Sequence, residues 1–210
     1  MPFGCILVKI KTKNTMNLDA NYWNQRYLEQ KTGWDIGFPS TPLVKYIEQV
    51  RDKNVEILIP GCGNAYEAIF LAQKGFRHIT ILDIAPKLVQ DLQERCKLYP
   101  QIEVLHQDFF LHQGKYDLII EQTFFCAINP ELRSNYAKKM WDLLKSGGKL
   151  VGVLFNKHFE VSPPFGGNAE EYRNYFSPYF TFQTFDNCYN SIAPRMGSEL
   201  FMILQKKAFE

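Results

Sequence analysis

Three short segments of this sequence contain residue types that could bind a nucleoside. The first is the loop Pro60-Gly61-Cys62-Gly63, which follows the apolar run 55–59. Glycines let the backbone turn sharply and approach a ligand closely, and a helix that starts after such a loop presents free N–H groups. Because a Gly-x-Gly loop is a weak signal by itself, the residues that end the neighbouring runs decide its meaning.

The second segment is the run 79–83, which ends in Asp83, twenty residues after Gly63. A carboxylate there can accept hydrogen bonds from both hydroxyls of a ribose. The third segment is Gln107-Asp108-Phe109, which follows the run 102–106. Its acid can bond the amino group of an adenine, and the aromatic ring beside it can cover the base. A helix cap is the alternative role for Asp83, and core packing is the alternative for Phe109.

The sequence departs from two other nucleotide-binding fingerprints. A dinucleotide loop would place a third glycine at position 66, where this chain has Tyr66, and the Gly-Lys-Ser/Thr of a phosphate loop does not occur. The three segments together therefore favour an adenosine without a pyrophosphate. A nicotinamide-dependent oxidoreductase remains an alternative, which Tyr66 disfavours.

A fourth group of residues is aromatic and consists of Trp23, Tyr27 and Trp34. Trp23 and Tyr27 are four residues apart, so they would share one face of a helix. Aromatic faces attract a cation by about 0.5–2 kcal/mol each, so these rings could cap the crevice over a sulfonium. The alternative role is hydrophobic packing between that helix and the sheet.

The elements that must position these residues alternate between strands and helices from residue 55 onward. The predicted strands are 55–60, 79–83, 102–106, 116–121, 149–155, 180–185 and 199–206. The predicted helices are 22–30, 42–51, 65–74, 86–98, 130–144 and 169–176. This alternation indicates an α/β domain with a parallel sheet and helices on both of its faces. The last two strands are expected to form a closing hairpin-like pair.

Composition excludes several classes of function. A chain of 210 residues with 46% hydrophobic residues suits one domain with a sizeable core. Charges are nearly balanced, with 24 Lys+Arg against 22 Asp+Glu and no basic run, so we expect no nucleic-acid partner. No stretch approaches 18 consecutive apolar residues, so we do not expect this chain to be an integral membrane protein.

The cysteines and histidines give no metal-binding pattern. The five cysteines are scattered, and neither they nor the four histidines have the spacing of metal ligands. We therefore expect no metal and reduced thiols, which are typical of a cytoplasmic protein. Nothing in the sequence demands an oligomer, so a monomer is expected.

The chain resembles the thiopurine methyltransferase superfamily, and within it the plant and bacterial thiol, halide and thiocyanate methyltransferases. The matching region runs from Tyr22 to about Gly167. The matching segments are Tyr-Trp-Asn-Gln-Arg-Tyr at 22–27, Thr-Gly-Trp-Asp-Ile-Gly at 32–37, Pro-Gly-Cys-Gly at 60–63, Phe-Phe-Cys-Ala-Ile at 124–128, Pro-Glu at 130–131, Arg133, and Ser-Gly-Gly-Lys-Leu at 146–150.

The resemblance implies a Rossmann-like, seven-stranded, mostly parallel sheet with one antiparallel strand and helices on both faces. It also implies S-adenosylmethionine as cofactor. The expected activity is transfer of the cofactor's methyl group to a small soft nucleophile, a thiol or a thiopurine, with thiocyanate and halide ions as further candidates. A non-catalytic S-adenosylmethionine-binding protein remains an alternative. The expected cofactor-binding residues are Trp23, Tyr27, Trp34, Gly61, Gly63, Asp83, Asp108, Phe109 and Gln122.

Two departures from the family pattern concern the acceptor side. Gln122 stands where the plant enzymes have a tyrosine, and the loop 163–167 has its proline and glycine halves exchanged. Glu121 is the candidate catalytic residue, to orient the cofactor or to accept a proton. The candidate acceptor-binding residues are Phe125, Phe165, Tyr172 and Arg195. Core packing of the rings and surface exposure of Arg133 and Arg195 are the alternatives.

The expected domain organisation is simple. Residues 1–16 are expected to be a disordered extension, with Met1 and Met16 as alternative starts, and residues 17–210 a single methyltransferase domain. Within it, residues 17–53 would form a helical cover over the cofactor. Residues 156–178 would form an insertion at the acceptor site.

Overall fold

A computed structural model gives the structure of the chain and describes residues 17–208. The extension predicted for 1–16, and with it the choice of start residue, lies outside the described residues. The helices are Ala20–Leu28 (α1), Thr41–Ile47 (α2), Tyr66–Gln73 (α3), Pro86–Arg95 (α4), Arg133–Leu143 (α5) and Ala169–Phe176 (α6). The strands are Glu56–Pro60 (β1), His78–Asp83 (β2), Ile102–His106 (β3), Tyr116–Gln122 (β4), Leu144–Phe155 (β5), Phe180–Asn187 (β6) and Glu199–Lys206 (β7).

The seven strands form one sheet in the order β3-β2-β1-β4-β5-β7-β6. Strands β1 to β5 pair in parallel, whereas β7 runs antiparallel to both of its neighbours, β5 and β6. The predicted seven-stranded, mostly parallel sheet with one reversed strand is confirmed. Because the strand order changes direction between β1 and β4, a ligand crevice is expected at the carboxyl ends of these strands.

Hydrophobic residues on the two faces of the sheet form two cores. Helices α2, α3 and α4 contribute Leu43, Leu71 and Leu92 to one core. Helices α5 and α6 contribute Tyr136 and Phe176 to the other. Residues of β1 alternate between the two cores, as the two-residue period of a strand requires. Among the described residues, no helix is long and apolar enough to cross a membrane.

The start of β5 differs from the sequence prediction. The strand was predicted over 149–155, but β5 begins at Leu144 and continues through residues 146–148. Gly147 has φ +73°, a left-handed conformation that glycine adopts at no steric cost. The pairing of β4 with β5 shifts register between Tyr116 and Leu118, so the glycine is absorbed as a bulge inside the strand.

Several helix boundaries also differ from the prediction, and two of them have a clear local reason. Helix α1 begins at Ala20 rather than residue 22, because the Asp19 side chain accepts a hydrogen bond from the Tyr22 N–H at 2.9 Å and caps the helix. Helix α4 ends at Arg95, and residues 96–98 tighten into a 3-10 turn.

Candidate active site

A cavity of about 930 Å³ lies at the carboxyl ends of the central strands, within the size range of small-molecule sites. Most of the residues predicted for the site contribute to its lining, namely Trp23, Tyr27, Trp34, Gly61, Gly63, Asp83, Asp108, Phe109, Gln122 and Arg195. The cavity lining does not include Glu121, Phe125, Phe165 or Tyr172.

The glycine loop between β1 and α3 has a backbone that few other residues could adopt. Gly61 and Gly63 have φ values of +56° and +51°. A Cβ atom added to Gly61 would lie 2.3 Å from Cδ2 of Phe124, so the Phe124 ring packs directly against the loop. The Gly61 position therefore needs glycine both for its conformation and for the ring that covers it.

Asp83 ends β2 with its carboxylate at the cavity. Oδ1 accepts a hydrogen bond from the Ala85 N–H at 3.0 Å, and Oδ2 accepts one from the Gly63 N–H at 3.4 Å. Burial raises the pKa of Asp83 to about 6, and the backbone hydrogen bonds from Ala85 and Gly63 oppose this rise. Asp83 is not the N-cap of α4, which is Ala85, but its carboxylate bonds the Ala85 N–H just before the helix, so it also supports the start of α4.

Asp108 and Phe109 follow β3 and also line the cavity. Asp108 Oδ1 accepts a hydrogen bond from the Phe110 N–H at 2.8 Å, which fixes the turn after the strand. Phe109 is almost fully buried, and its ring contacts Phe110 and Phe124 edge-on, each with centroids 5.2 Å apart. Phe109 is therefore a core residue that also reaches the cavity.

The three aromatic residues of the N-terminal segment form one cluster over the cavity. The Trp34 ring contacts Trp23 and Tyr27 edge-on, with centroids 5.6 and 5.8 Å apart. The Tyr27 hydroxyl would lie 3.7 Å from a Cβ atom at Gly63, so this ring reaches the glycine loop. Burial, and next the nearby Asp83, raise the pKa of Tyr27, which keeps its hydroxyl protonated.

Polar contacts tie this aromatic segment to the body of the domain. Asp35 Oδ2 accepts hydrogen bonds from the Asn64 side chain and, at 3.3 Å, from the Tyr66 hydroxyl. Asn24 Oδ1 accepts a hydrogen bond from the Lys87 N–H at 2.9 Å, at the start of α4. The segment is thus held at both the glycine loop and the helix after β2.

Arg195 joins the aromatic segment to the far end of the sheet. It donates from Nη2 to the Trp34 carbonyl at 2.9 Å and lies 3.4 Å from Glu199, with its guanidinium 5.3 Å from the Phe155 ring centroid. Its side chain is 11% exposed, so the alternative of a surface arginine is wrong. Arg195 lines the cavity as predicted, but its charge is already paired with Glu199.

Glu121 does not occupy the position that a catalytic residue would need, and the prediction is corrected on this point. Its fully buried carboxylate accepts hydrogen bonds from the Phe124 and Phe125 N–H groups at 2.8 and 2.9 Å and from the Tyr136 hydroxyl. Burial raises its pKa to about 7, against the lowering effect of these hydrogen bonds. Glu121 therefore fixes the loop after β4 from beneath the cavity.

The predicted acceptor residues Phe125 and Tyr172 are corrected for a related reason. Their rings lie against the Arg133 guanidinium, with centroids 4.8 and 5.5 Å away. Arg133 is itself buried, so its predicted alternative as a surface residue is wrong. A buried guanidinium needs partners, and both rings serve it behind the cavity wall rather than facing the cavity.

Phe165 is also corrected, because it contributes through its backbone. Its carbonyl and that of Gly166 accept hydrogen bonds from Arg133 Nη2 at 3.2 and 2.9 Å, while Arg133 Nη1 pairs with Glu171 at 2.7 Å. The Phe165 N–H donates to the Cys126 carbonyl at 2.7 Å. These contacts hold the loop whose two prolines, rather than Phe165, line the cavity.

Several residues that line the cavity were not identified from the sequence. The principal ones are Arg26, Asp35, Thr123, Phe124, Phe155, Lys157, Phe159, Pro163 and Pro164. Asp35 and Phe124 lie inside segments that match the family, so the resemblance is the signal that could have identified them. The residues at 155–164 follow β5 in a loop whose sequence has no periodic pattern, and no signal identified them.

Two side-chain atoms of the lining are buried without a hydrogen-bond partner among residues 17–208. They are Arg26 Nε, a donor, and Gln122 Oε1, an acceptor. Since buried polar groups in proteins are nearly always paired, these two atoms are candidates for contact with a ligand or with water, whereas the third such atom, Arg133 Nε, belongs to a residue behind the cavity wall.

The sequence of this chain is similar to those of known methyltransferases. A family model described as thiopurine S-methyltransferase matches residues 18–199. The chain is 31% identical over 185 residues to probable thiol methyltransferase 2 of Arabidopsis thaliana, covering 84% of this chain and 81% of that protein. It is 24% identical over 176 residues to thiopurine S-methyltransferase of Photobacterium profundum, covering 76% and 83%.

Solved structures agree at the level of the fold. Magnesium protoporphyrin IX methyltransferase of Synechocystis PCC 6803, with bound S-adenosylmethionine, superimposes with a TM-score of 0.73 at 16% identity, covering 93% of this chain and 100% of that chain. A Burkholderia thailandensis N1-methyltransferase with bound S-adenosylhomocysteine also has a TM-score of 0.73, at 14% identity and covering 90% and 87%. The chain belongs to the thiopurine S-methyltransferase family and is an S-adenosylmethionine-dependent methyltransferase.

Proposed function

We propose that this enzyme transfers the methyl group of S-adenosylmethionine to a small soft nucleophile, a thiol or a thiopurine, with thiocyanate and halide ions as further candidates. The main supporting observation is that one cavity is lined both by strand-end residues that suit a nucleoside and, at its other end, by largely apolar residues. A donor and an acceptor can therefore meet inside it.

The residues at the first end fit the cofactor. Asp83 suits the ribose hydroxyls, and Asp108 with Phe109 suits the adenine ring. The left-handed glycine loop lets a ligand approach the backbone closely. The unpartnered Gln122 Oε1 matches an ammonium group, which this cofactor has at its amino-acid end. Residues 17–53, with their three aromatic rings, would act as the cover.

The second end of the cavity suits an acceptor with an apolar body. Phe155 and Phe159 contact each other edge-on with centroids 4.9 Å apart, and Pro163 and Pro164 complete this wall. Lys157, which lies over the Phe159 ring at 4.6 Å, has no carboxylate partner among the described residues and would attract an anion. Residues 156–178 would thus form the acceptor site and its support.

Methyl transfer from a sulfonium needs alignment and exclusion of water more than acid–base catalysis. The bound cofactor supplies an activated methyl group, and a thiol with pKa near ~8.5 supplies a few per cent of thiolate at neutral pH. Trp23 and Trp34 are placed to stabilise the positive sulfur by cation–π attraction. Glu121 would act as a positioning residue, since it holds the loop that carries Thr123 and Phe124.

The protein's own thiols in the cavity are poor competitors for the methyl group. Cys62 and Cys126 both line it. Burial raises the pKa of Cys126 to about 12, with the nearby Glu121 adding to the rise, and burial also raises the pKa of Cys62 well above its ordinary value. Both therefore stay protonated at neutral pH, whereas a thiol acceptor with an ordinary pKa ionises more readily.

Two measurements test the proposal. Calorimetry with S-adenosylmethionine and S-adenosylhomocysteine should detect binding of both, and no binding of either at millimolar ligand would end the proposal. A product screen by mass spectrometry, with labelled S-adenosylmethionine, should detect a methylated thiol in a panel of aliphatic thiols, aromatic thiols, thiocyanate and iodide. Cofactor binding without any product would favour the non-catalytic alternative. Titration with reduced nicotinamide cofactor addresses the oxidoreductase alternative.

A further inference from the structure

We infer that Arg26 binds the carboxylate at the amino-acid end of the cofactor. The inference rests on the proposed function, since it assigns one residue to one group of the same ligand. Arg26 lies in α1 and lines the cavity beside the aromatic cluster. Its guanidinium carbon is 5.8 Å from the Trp34 ring centroid and 6.0 Å from that of Tyr22.

The charge of Arg26 lacks the kind of partner that the other arginines near the cavity have. Arg133 pairs with Glu171 at 2.7 Å, and Arg195 lies 3.4 Å from Glu199. Within residues 17–208, no carboxylate forms an ion pair with Arg26, and its buried Nε has no hydrogen-bond acceptor. An anion that enters the cavity can supply the missing negative charge and the missing hydrogen-bond acceptor.

The acidic side chains near Arg26 have other partners. Glu29, at the end of α1, pairs with Lys31 at 2.8 Å. Asp19 accepts hydrogen bonds from the Tyr22 N–H and from the Asn17 side chain. These contacts leave the guanidinium of Arg26 available to a ligand.

The second unpartnered atom of the lining explains why the anion should be an amino-acid carboxylate. Arg26 offers a donor with positive charge, while Gln122 offers an acceptor oxygen. A guanidinium forms strong, two-pronged hydrogen bonds with a carboxylate, and an amide oxygen accepts from an ammonium group. One cavity with both therefore suits a zwitterion, and S-adenosylmethionine has one at the end opposite its adenosine.

A comparison of two ligands isolates this contact. S-adenosylhomocysteine has the amino-acid group, whereas 5′-methylthioadenosine keeps the adenosine and sulfur but lacks both the carboxylate and the ammonium. For Arg26→Gln, calorimetry should measure about a 10- to 100-fold loss of affinity for S-adenosylhomocysteine. Affinity for 5′-methylthioadenosine should change less than about twofold, because it makes no contact with the guanidinium.

Two further variants control for charge and for folding. Lys45→Gln removes an exposed positive charge from α2, at a residue outside the cavity lining, and should leave both affinities unchanged. Arg26→Lys keeps the charge without the two-pronged geometry and should fall between wild type and Arg26→Gln. Binding of 5′-methylthioadenosine by Arg26→Gln at the wild-type level also establishes that the variant is folded.

Three outcomes would overturn the inference. Unchanged affinity of Arg26→Gln for S-adenosylhomocysteine would do so, and so would an equal loss for both ligands, which indicates damage to the cover. A raised KM for the thiol acceptor, with cofactor affinity intact, would assign Arg26 to the acceptor instead. If the wild-type protein binds none of these ligands, the proposed function fails as well, and that result is distinct from the other three.

Discussion

The two ends of the cavity are built in different ways. At the nucleoside end, the polar side chains point at the cavity and are held by backbone groups two residues away, as in Asp83 with Ala85 and Asp108 with Phe110. At the acceptor end, the charged side chains that organise the wall lie behind it. Arg133, for example, holds a loop more than thirty residues along the chain.

This difference separates binding from support. Under the proposed function a residue at the nucleoside end touches the ligand, so its loss should weaken binding and leave the fold nearly intact. A buried charge behind the acceptor wall should affect folding and acceptor geometry together, since it is paired within the protein and contacts no ligand. The following substitutions probe that contrast.

The largest expected effect is on stability and comes from Arg133→Met. This change leaves Glu171 and two loop carbonyls without their donor, and loss of one partner of a buried pair costs about 3–5 kcal/mol. Because Glu171 is 34% exposed, we expect a value near the lower end, about 3 kcal/mol, in urea unfolding. The KM for the acceptor should rise, while the affinity for S-adenosylhomocysteine should stay near the wild-type value.

A matched control is Arg173→Met. Arg173 lies in α6, contacts the rings of Phe182 and Phe185, and is exposed. Its replacement should cost less than about 1 kcal/mol, as for most surface substitutions. Equal costs for the two arginines would show that burial of Arg133 has no special effect.

The next effect concerns Glu121 and depends on pH. Its pKa in the folded protein is about 7, above its ordinary 4.5, so its stabilising contribution is complete below pH 4.5 and is lost as the pH rises through 7. Relative to Glu121→Gln, the wild-type free energy of unfolding should fall by about 3 kcal/mol between pH 4 and 8.

Tyr136→Phe sharpens the test of Glu121. The Tyr136 hydroxyl lowers the pKa of Glu121, so its removal should raise that pKa further. The loss of stability should then occur at higher pH than in the wild type. A difference between wild type and Glu121→Gln that is constant with pH would contradict the assignment of this titration to Glu121.

The smallest expected effect is on binding alone. Asp83→Ala should weaken S-adenosylhomocysteine binding by about 2 kcal/mol, or about 30-fold, as expected for hydrogen bonds to a charged group. Stability should not fall, because burial already disfavours the ionised form of this carboxylate. Since its pKa is about 6, wild-type affinity should be about tenfold lower at pH 5 than at pH 7.5. Asp83→Ala should lack this dependence on pH.

The same contrast explains how much could be predicted from the sequence. The parallel sheet followed from periodicity, its reversed strand from the resemblance to the family, and the expected nucleoside end from strand-end residues such as Gly61, Asp83 and Asp108. Each of these positions is fixed by the strand beside it. Local sequence is therefore sufficient to place them.

The acceptor end could not be predicted in this way. Phe125 and Tyr172 have the residue types of pocket walls, but both pack on a guanidinium whose burial is decided by distant segments. Glu121 is the second-last residue of β4, close to the end of the strand at which the cavity lies, yet its carboxylate accepts hydrogen bonds from backbone N–H groups of the following loop. Gly152, paired with Glu121 across the sheet, leaves the space for this, since an added Cβ would lie 2.4 Å from Glu121 Cβ.

Helix α1 has a consequence for how ligands enter and leave. None of its nine residues is fully buried, and a helix of this length is marginal in isolation. Its Trp23 and Tyr27 rings border the cavity, so under the proposed function the bound cofactor would supply part of the apolar partner that stabilises such a helix. Docking of the helix and occupancy of the cavity are then coupled. Under the proposed function, product departure would therefore remove part of the packing that holds this helix in place.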